Sequence, residues 1–129
     1  MKIITLDTHV ALWVARGSSE LGVTAHSLMS SADRVLVSSL SIAELNMKAM
    51  LGKFKPQLGL AQMFTAAGFE AVDFSEAGAE AISRFGSLAK HDPFDRMILS
   101  QAAASGSGLL TADRVLLSQG LDFVLDANI

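Results

Sequence analysis

The chain has 129 residues, half of them hydrophobic and 18% charged, with a net charge of −3. This length and apolar content suffice for a hydrophobic core and exclude a disordered chain. The absence of cysteine excludes disulfides, thiolate zinc sites and thiol nucleophiles; with Asp7 and His9 interrupting the apolar N-terminus and no run of membrane-spanning length, a cytoplasmic protein without membrane contact is expected.

A β-type run, Ile3-Ile4-Thr5-Leu6, comes first and ends at Asp7. Helical spacing follows at Val10, Leu12, Trp13 and Val14, and again over 25–32. Arg34–Ser38 reads as the second strand and 42–51 as the helix after it. A further helix is expected over 60–67, a third strand over 69–74 and a helix near 76–85. A loop over 86–92 leads to Pro93. Beyond it Phe94, Met97, Ile98 and Ala102 recur at helical spacing until Gly106 and Gly108 flank the helix end. Residues 109–111 form a short fourth strand, 114–118 a short helix, and 121–125 alternate loosely like an edge strand.

Strands alternating with helices imply parallel neighbours joined by crossovers, hence an α/β fold. The expected architecture is a three-layer α/β/α sandwich with a mainly parallel sheet of four to five strands. In such sheets the functional crevice lies beyond the carboxyl ends of the strands. Asp7 directly follows the first strand and Asp113 follows the fourth by one residue. Glu44 is expected in the first turn of the helix after the second strand, and Asp95 opens the helix leading into the fourth.

Taken singly, each acid has a structural explanation. Asp7 and Asp113 can cap helices, and Ser41-Ile42-Ala43-Glu44 fits a capping box. Asp92-Pro93-Phe94-Asp95 reads as a cap, a proline at the first helical position and an acid that suits the helix dipole. Glu44 can pair with Lys48 one turn on. Together they carry more weight, because carboxylates converging on one sheet edge repel one another unless a cation compensates. An all-oxygen set without cysteine or paired histidines suits Mg²⁺ or Mn²⁺. Hard cations so held keep waters and bind phosphates, the setting for phosphodiester hydrolysis by a metal-activated water.

The charge is unevenly distributed: residues 1–69 carry six Lys/Arg against four Asp/Glu, and residues 70–129 four against nine. Local positive potential, rather than net charge, decides binding to phosphates. Lys48, Lys53 and Lys55 are candidate backbone contacts on that ground. Trp13 is read as a core or dimer-face residue, and the methionines as core filler.

The motifs resemble those of PIN-domain nucleases, and particularly of VapC-type toxins of bacterial toxin–antitoxin pairs. The matching segments are Leu6-Asp7-Thr8-His9 with Leu12-Trp13; Ser38-Ser39-Leu40-Ser41-Ile42-Ala43-Glu44 with Lys48 and Gly52-Lys53; His91-Asp92-Pro93-Phe94-Asp95-Arg96 with Gln101-Ala102; and Leu110-Thr111-Ala112-Asp113. The resemblance implies a single PIN-like nuclease domain over residues 1–129. It also implies a Mg²⁺- or Mn²⁺-dependent endoribonuclease acting on tRNA or rRNA, a cognate antitoxin that blocks the site, and a homodimer. Carried over by position, Asp7, Glu44, Asp95 and Asp113 are the metal-binding and catalytic acids. Asp92, Thr111 and Arg96 are candidates for supporting or substrate contacts. His91 is left with a local role beside its helix start.

Two other readings compete: a PIN-type nuclease of RNA processing without a toxin role, and a non-catalytic α/β partner-binding domain. An aspartyl-nucleophile phosphatase wants a second Asp two residues after the first, where this chain has His9.

Overall fold

The computed structural model describes residues 2–56 and 58–129. Its five strands are β1 (Ile3–Leu6), β2 (Arg34–Ser38), β3 (Glu70–Val72), β4 (Gly108–Thr111) and β5 (Val124–Asp126). They form one sheet in the order β3-β2-β1-β4-β5, with every pairing parallel. The helices are α1 (Thr8–Ala15), α2 (Val23–Ser31), α3 (Ser39–Met50), α4 (Leu60–Ala66), α5 (Glu76–Ala81), α6 (Pro93–Ser105) and α7 (Arg114–Leu117). The expected fold class is observed.

β1 is central, so it is covered on both faces and reads as an almost unbroken apolar run. Side chains alternate across the sheet. Ile4, Leu6 and Leu110 join Val10, Leu45 and Phe64 in one core, while Leu109 joins Phe85, Ile98, Leu99 and Leu116 in the other. Helix α3 spans both layers, with Leu40 in the second core and Leu45 in the first. It therefore lies across the carboxyl edge of the sheet. Register decides what meets there. Leu6 pairs with Val37 on one side and Leu110 on the other, so Asp7, Ser38 and Thr111 stand abreast.

Several boundaries differ from those expected. Helix α3 begins at Ser39, three residues early, because the Ser38 hydroxyl caps it by accepting from the Leu40 amide. Ser41 is consequently not a cap, and Glu44 sits in the second turn rather than the first. The helix expected over 76–85 ends at Ala81 and continues as a 3₁₀ stretch, Ile82–Leu88, interrupted at Phe85. That stretch takes up part of the loop expected over 86–92. β5 starts three residues late, since residues 121–123 form the turn whose Phe123 carbonyl accepts from the Leu109 amide. Pro93 does open α6 behind the Asp92 cap, and Gly106, at φ 67°, closes it in the left-handed region where glycine carries no steric cost. Within α6, buried Gln101 accepts from the Ser38 hydroxyl at 2.5 Å and donates to the Asp73 carbonyl at 2.8 Å, locking this helix to the edge of β2.

Candidate active site

Four elements deliver acids to one cavity of about 220 Å³, lined by Asp7, Glu44, Asp92, Asp95 and Asp113 together with Lys48. Each acid is fixed by its backbone setting. Asp7 caps α1: Oδ1 accepts from the Thr8 amide at 2.8 Å, and Oδ2 accepts from the Thr111 hydroxyl at 2.6 Å. Asp113 caps α7 with Oδ1, which accepts from the Val115 and Leu116 amides at 2.8 and 3.2 Å. Its Oδ2 meets His91 Nε2 at 2.9 Å. Asp92 caps α6 through the Phe94 amide at 2.8 Å. Each of these three carboxylates thus caps a helix and lines the cavity at once.

Glu44 is only 2% exposed. Its Oε1 accepts from the Thr8 hydroxyl at 2.7 Å and its Oε2 from Lys48 Nζ at 2.5 Å. Thr8 therefore links the first two acids, donating its amide to Asp7 and its hydroxyl to Glu44. Asp95 stands between two groups. It lies with Glu44 and Asp92 on one side, and with His91 and Asp113 on the other, the potential ligand atoms of each group falling within 4.8 Å of one another. Asp7 belongs to neither group but lines the same cavity.

Electrostatics follow from this crowding. Burial pushes the Asp7 carboxyl up, against the hydrogen bonds from Thr111 and Thr8. Burial and the charge of Asp7 push Asp95 up to about 8. Burial also acts upward on Asp113, but the His91 hydrogen bond and the Leu116 amide outweigh it and hold this carboxyl below its usual range. Lys48 loses hydration by burial, yet its bond to Glu44 keeps its pKa raised.

The sequence reading left His91 outside the site. Its Nε2 lies 2.9 Å from Asp113 Oδ2 and 3.3 Å from Asp95 Oδ2. The only local signal was its i, i+4 spacing to Asp95, because Asp113 is 22 residues away. Arg96 makes no ion pair with an acid among the described residues; its Nε donates to the His91 carbonyl at 3.1 Å and fastens that loop. Thr111 orients Asp7 and also accepts the Asp113 amide at 3.0 Å. Trp13 packs on the first core while lining the acidic cavity and the larger one beside it. Lys53 is exposed in the larger cavity, and Lys55 lines neither.

The donor set fits a hard divalent cation. Oxygen atoms predominate, two compact groups share Asp95, and the carboxylates crowded around one cavity are negative charge that a cation would offset.

The fold is an α/β one with a parallel five-stranded sheet carrying these acids at its carboxyl edge. The chain belongs to the PIN domain family, whose model matches residues 4–119. Solved structures agree on the fold. VapBC2 from Rickettsia felis, bound to a DNA fragment from its promoter, is 16% identical, covers 96% of each chain and gives a TM-score of 0.63. A toxin–antitoxin complex from Klebsiella pneumoniae is 17% identical over 95% of each chain, with a TM-score of 0.65. VapBC-5 from Mycobacterium tuberculosis, a member of the VapBC family of toxin–antitoxin systems, is 18% identical over the whole of both chains, with a TM-score of 0.62. No curated protein matches the sequence. Among the described residues no helix is long and apolar enough to cross a membrane.

Proposed function

We propose that this chain is a Mg²⁺- or Mn²⁺-dependent endoribonuclease, a single PIN-like domain over residues 1–129, and the toxin of a toxin–antitoxin pair acting in the cytoplasm. The observation that carries the reading is the meeting of Asp7, Glu44, Asp95 and Asp113, from four elements, in one cavity at the carboxyl edge of the sheet. These four are proposed as the metal-binding and catalytic acids, with Asp92 and His91 at the margin of the same set. A divalent cation bound there supplies an activated water and offsets charge developing on the phosphate oxygens.

The remaining work falls to the chain. Thr111 and Thr8 hold the Asp7 carboxylate in one orientation, and Thr8 does the same for Glu44. Lys48 offsets the charge of Glu44, which lets a buried carboxylate stay at the edge of the cavity. Arg96 secures the turn that carries His91 and Asp92. Attack by a metal-activated water does not use the RNA 2′-hydroxyl as nucleophile, so hydrolysis should leave 5′-phosphate and 3′-hydroxyl ends.

The proposed partners are structured RNA (tRNA or rRNA), an antitoxin and a second copy of the chain. Similarity to toxin–antitoxin complexes supports the antitoxin. Arginine is the natural residue for it to insert, since a guanidinium matches paired carboxylates. The test is digestion of total cellular RNA by wild type and Asp7→Asn, with and without Mg²⁺, followed by mapping of the new ends. Metal-dependent cleavage lost in the variant is expected. Cleavage that persists in EDTA, or 2′,3′-cyclic phosphate ends, would sink the reading.

A further inference from the structure

Beside the acidic cavity lies a second of about 550 Å³, and His9, Trp13 and Lys48 line both. The chemistry changes across that boundary. Beyond Trp13 the wall is made by Arg16, Lys53 and Phe54, and Glu20 is the only acid lining it. Lys48 is committed to Glu44, but Arg16 and Lys53 make no ion pair among the described residues. The Arg16 guanidinium lies over the Phe54 ring, 5.5 Å from its centroid, which orients the cation while leaving it exposed. Lys53 follows Gly52, whose φ of 73° turns the chain at the end of α3, and its amide donates to the Lys48 carbonyl at 2.8 Å.

Resting on the nuclease reading, we infer that this cavity is the subsite for the nucleotide beside the scissile phosphate, with its base stacked on Trp13 and its phosphate held by Arg16 and Lys53. An acidic cavity alone repels a polyanion, so an RNA strand needs a neighbouring positive surface to hold it there. Cations interleaved with aromatic faces are the means by which proteins hold single strands irrespective of sequence. The volume suits one nucleotide. Because Trp13 lines both cavities, a base stacked on it lies beside the acids.

Trp13 is the chain's single tryptophan, so its emission reports on the subsite directly. The test titrates a hexa-adenylate ribonucleotide into the full chain in EDTA, then measures cleavage kinetics of a longer RNA with Mn²⁺. Saturable quenching of Trp13 emission, weakened by salt, is expected. Arg16→Gln and Lys53→Gln should each raise Kd and KM by about 3- to 10-fold with kcat kept. Trp13→Leu should weaken binding by about 10-fold or more while Trp13→Phe retains most of it. Arg84→Gln, which removes a cation elsewhere, should change nothing. The charge variants keep the test valid should Trp13→Leu fail to fold. RNA cleavage with unmoved KM in the cavity variants and unquenched Trp13 would overturn the subsite, leave the nuclease reading intact and assign the cavity to a protein segment instead. Quenching without cleavage under any divalent cation would keep the nucleotide site and remove the nuclease reading.

Discussion

The Thr111 hydroxyl donates to Asp7 Oδ2 at 2.6 Å and accepts the Asp113 amide at 3.0 Å, so one side chain ties together acids more than a hundred residues apart. Both bonds lie at the carboxyl ends of adjacent strands, and Thr111 is fully buried. Thr111→Val keeps the shape and removes the donor. It should cost about 1.5–3 kcal/mol, the range for a hydrogen bond to a charged group, and lower cleavage and Mn²⁺ affinity. Thr111→Ser should restore both. Unchanged Mn²⁺ affinity in the valine variant, measured calorimetrically, would show that Asp7 needs no such support.

The metal-free protein should lose stability as pH rises from about 4 to about 8. Burial and the charge of Asp7 raise the Asp95 pKa to about 8 in the fold, while an unfolded chain releases that proton near pH 4. Across this window the native state holds a proton that the unfolded state has lost, so stability falls with pH. Asp7, also raised, acts in the same direction. Asp113, held low, contributes oppositely: its stabilisation is lost as pH falls through its depressed value. Melting temperature against pH in EDTA checks this, and Asp95→Asn should flatten the slope. A wild-type curve that climbs between pH 5 and 8 would contradict it.

Much of this arrangement was legible in the sequence because it is local. Asp7, Asp92 and Asp113 announce themselves as caps at strand–helix junctions, and the structure uses them as caps and as cavity lining at once. Alternating strands and helices sufficed for the parallel sheet. What escaped depends on pairing across distance. His91 meets Asp113 only because β4 ends beside the start of α6, and no periodicity announces that contact. The cap of α3 differs from the expected one because Ser38, Ser39 and Ser41 are equivalent candidates until strand register ends β2 at Ser38. The interruption falls at Phe85, whose ring packs against Phe123, another contact invisible in local sequence.

Divalent cations should stabilise the fold. Binding to the native state alone adds about 2.7 kcal/mol at a concentration 100-fold above Kd, or roughly 10 °C in a domain of this size. Mn²⁺ should raise the melting temperature of wild type, and Asp95→Asn should lose most of that increment because Asp95 belongs to both ligand groups. A non-catalytic binding domain would show no such shift in either protein.

Lys48→Met should destabilise the metal-free protein by about 1–3 kcal/mol, because it leaves the Glu44 carboxylate buried with only Thr8 donating to it. Lys48 is itself 31% exposed, so solvent screening places the cost toward the lower end. Adding Glu44→Gln should recover part of the loss, giving a non-additive double mutant. Urea denaturation of the four proteins measures the coupling. Strict additivity would mean that this pair contributes nothing.

Gly78 controls how closely α5 approaches α6. A Cβ there would lie 3.2 Å from the Gln101 Cα and 3.0 Å from Phe74 Cε1. The ring can swing aside, but the backbone of α6 can yield only by shifting the helix. That helix carries Asp95 and also Gln101, which locks α6 to Ser38. Gly78→Val should therefore cost about 1–3 kcal/mol in overpacking and also weaken Mn²⁺ binding, although residue 78 touches none of the acids. Gly86→Ala, with nothing within 4 Å of the added methyl, should leave stability and Mn²⁺ affinity unchanged. Urea midpoints and Mn²⁺ titrations of both variants decide the matter. A Gly78→Val protein that is less stable but binds Mn²⁺ with wild-type affinity would show that α6 absorbs the strain without moving Asp95.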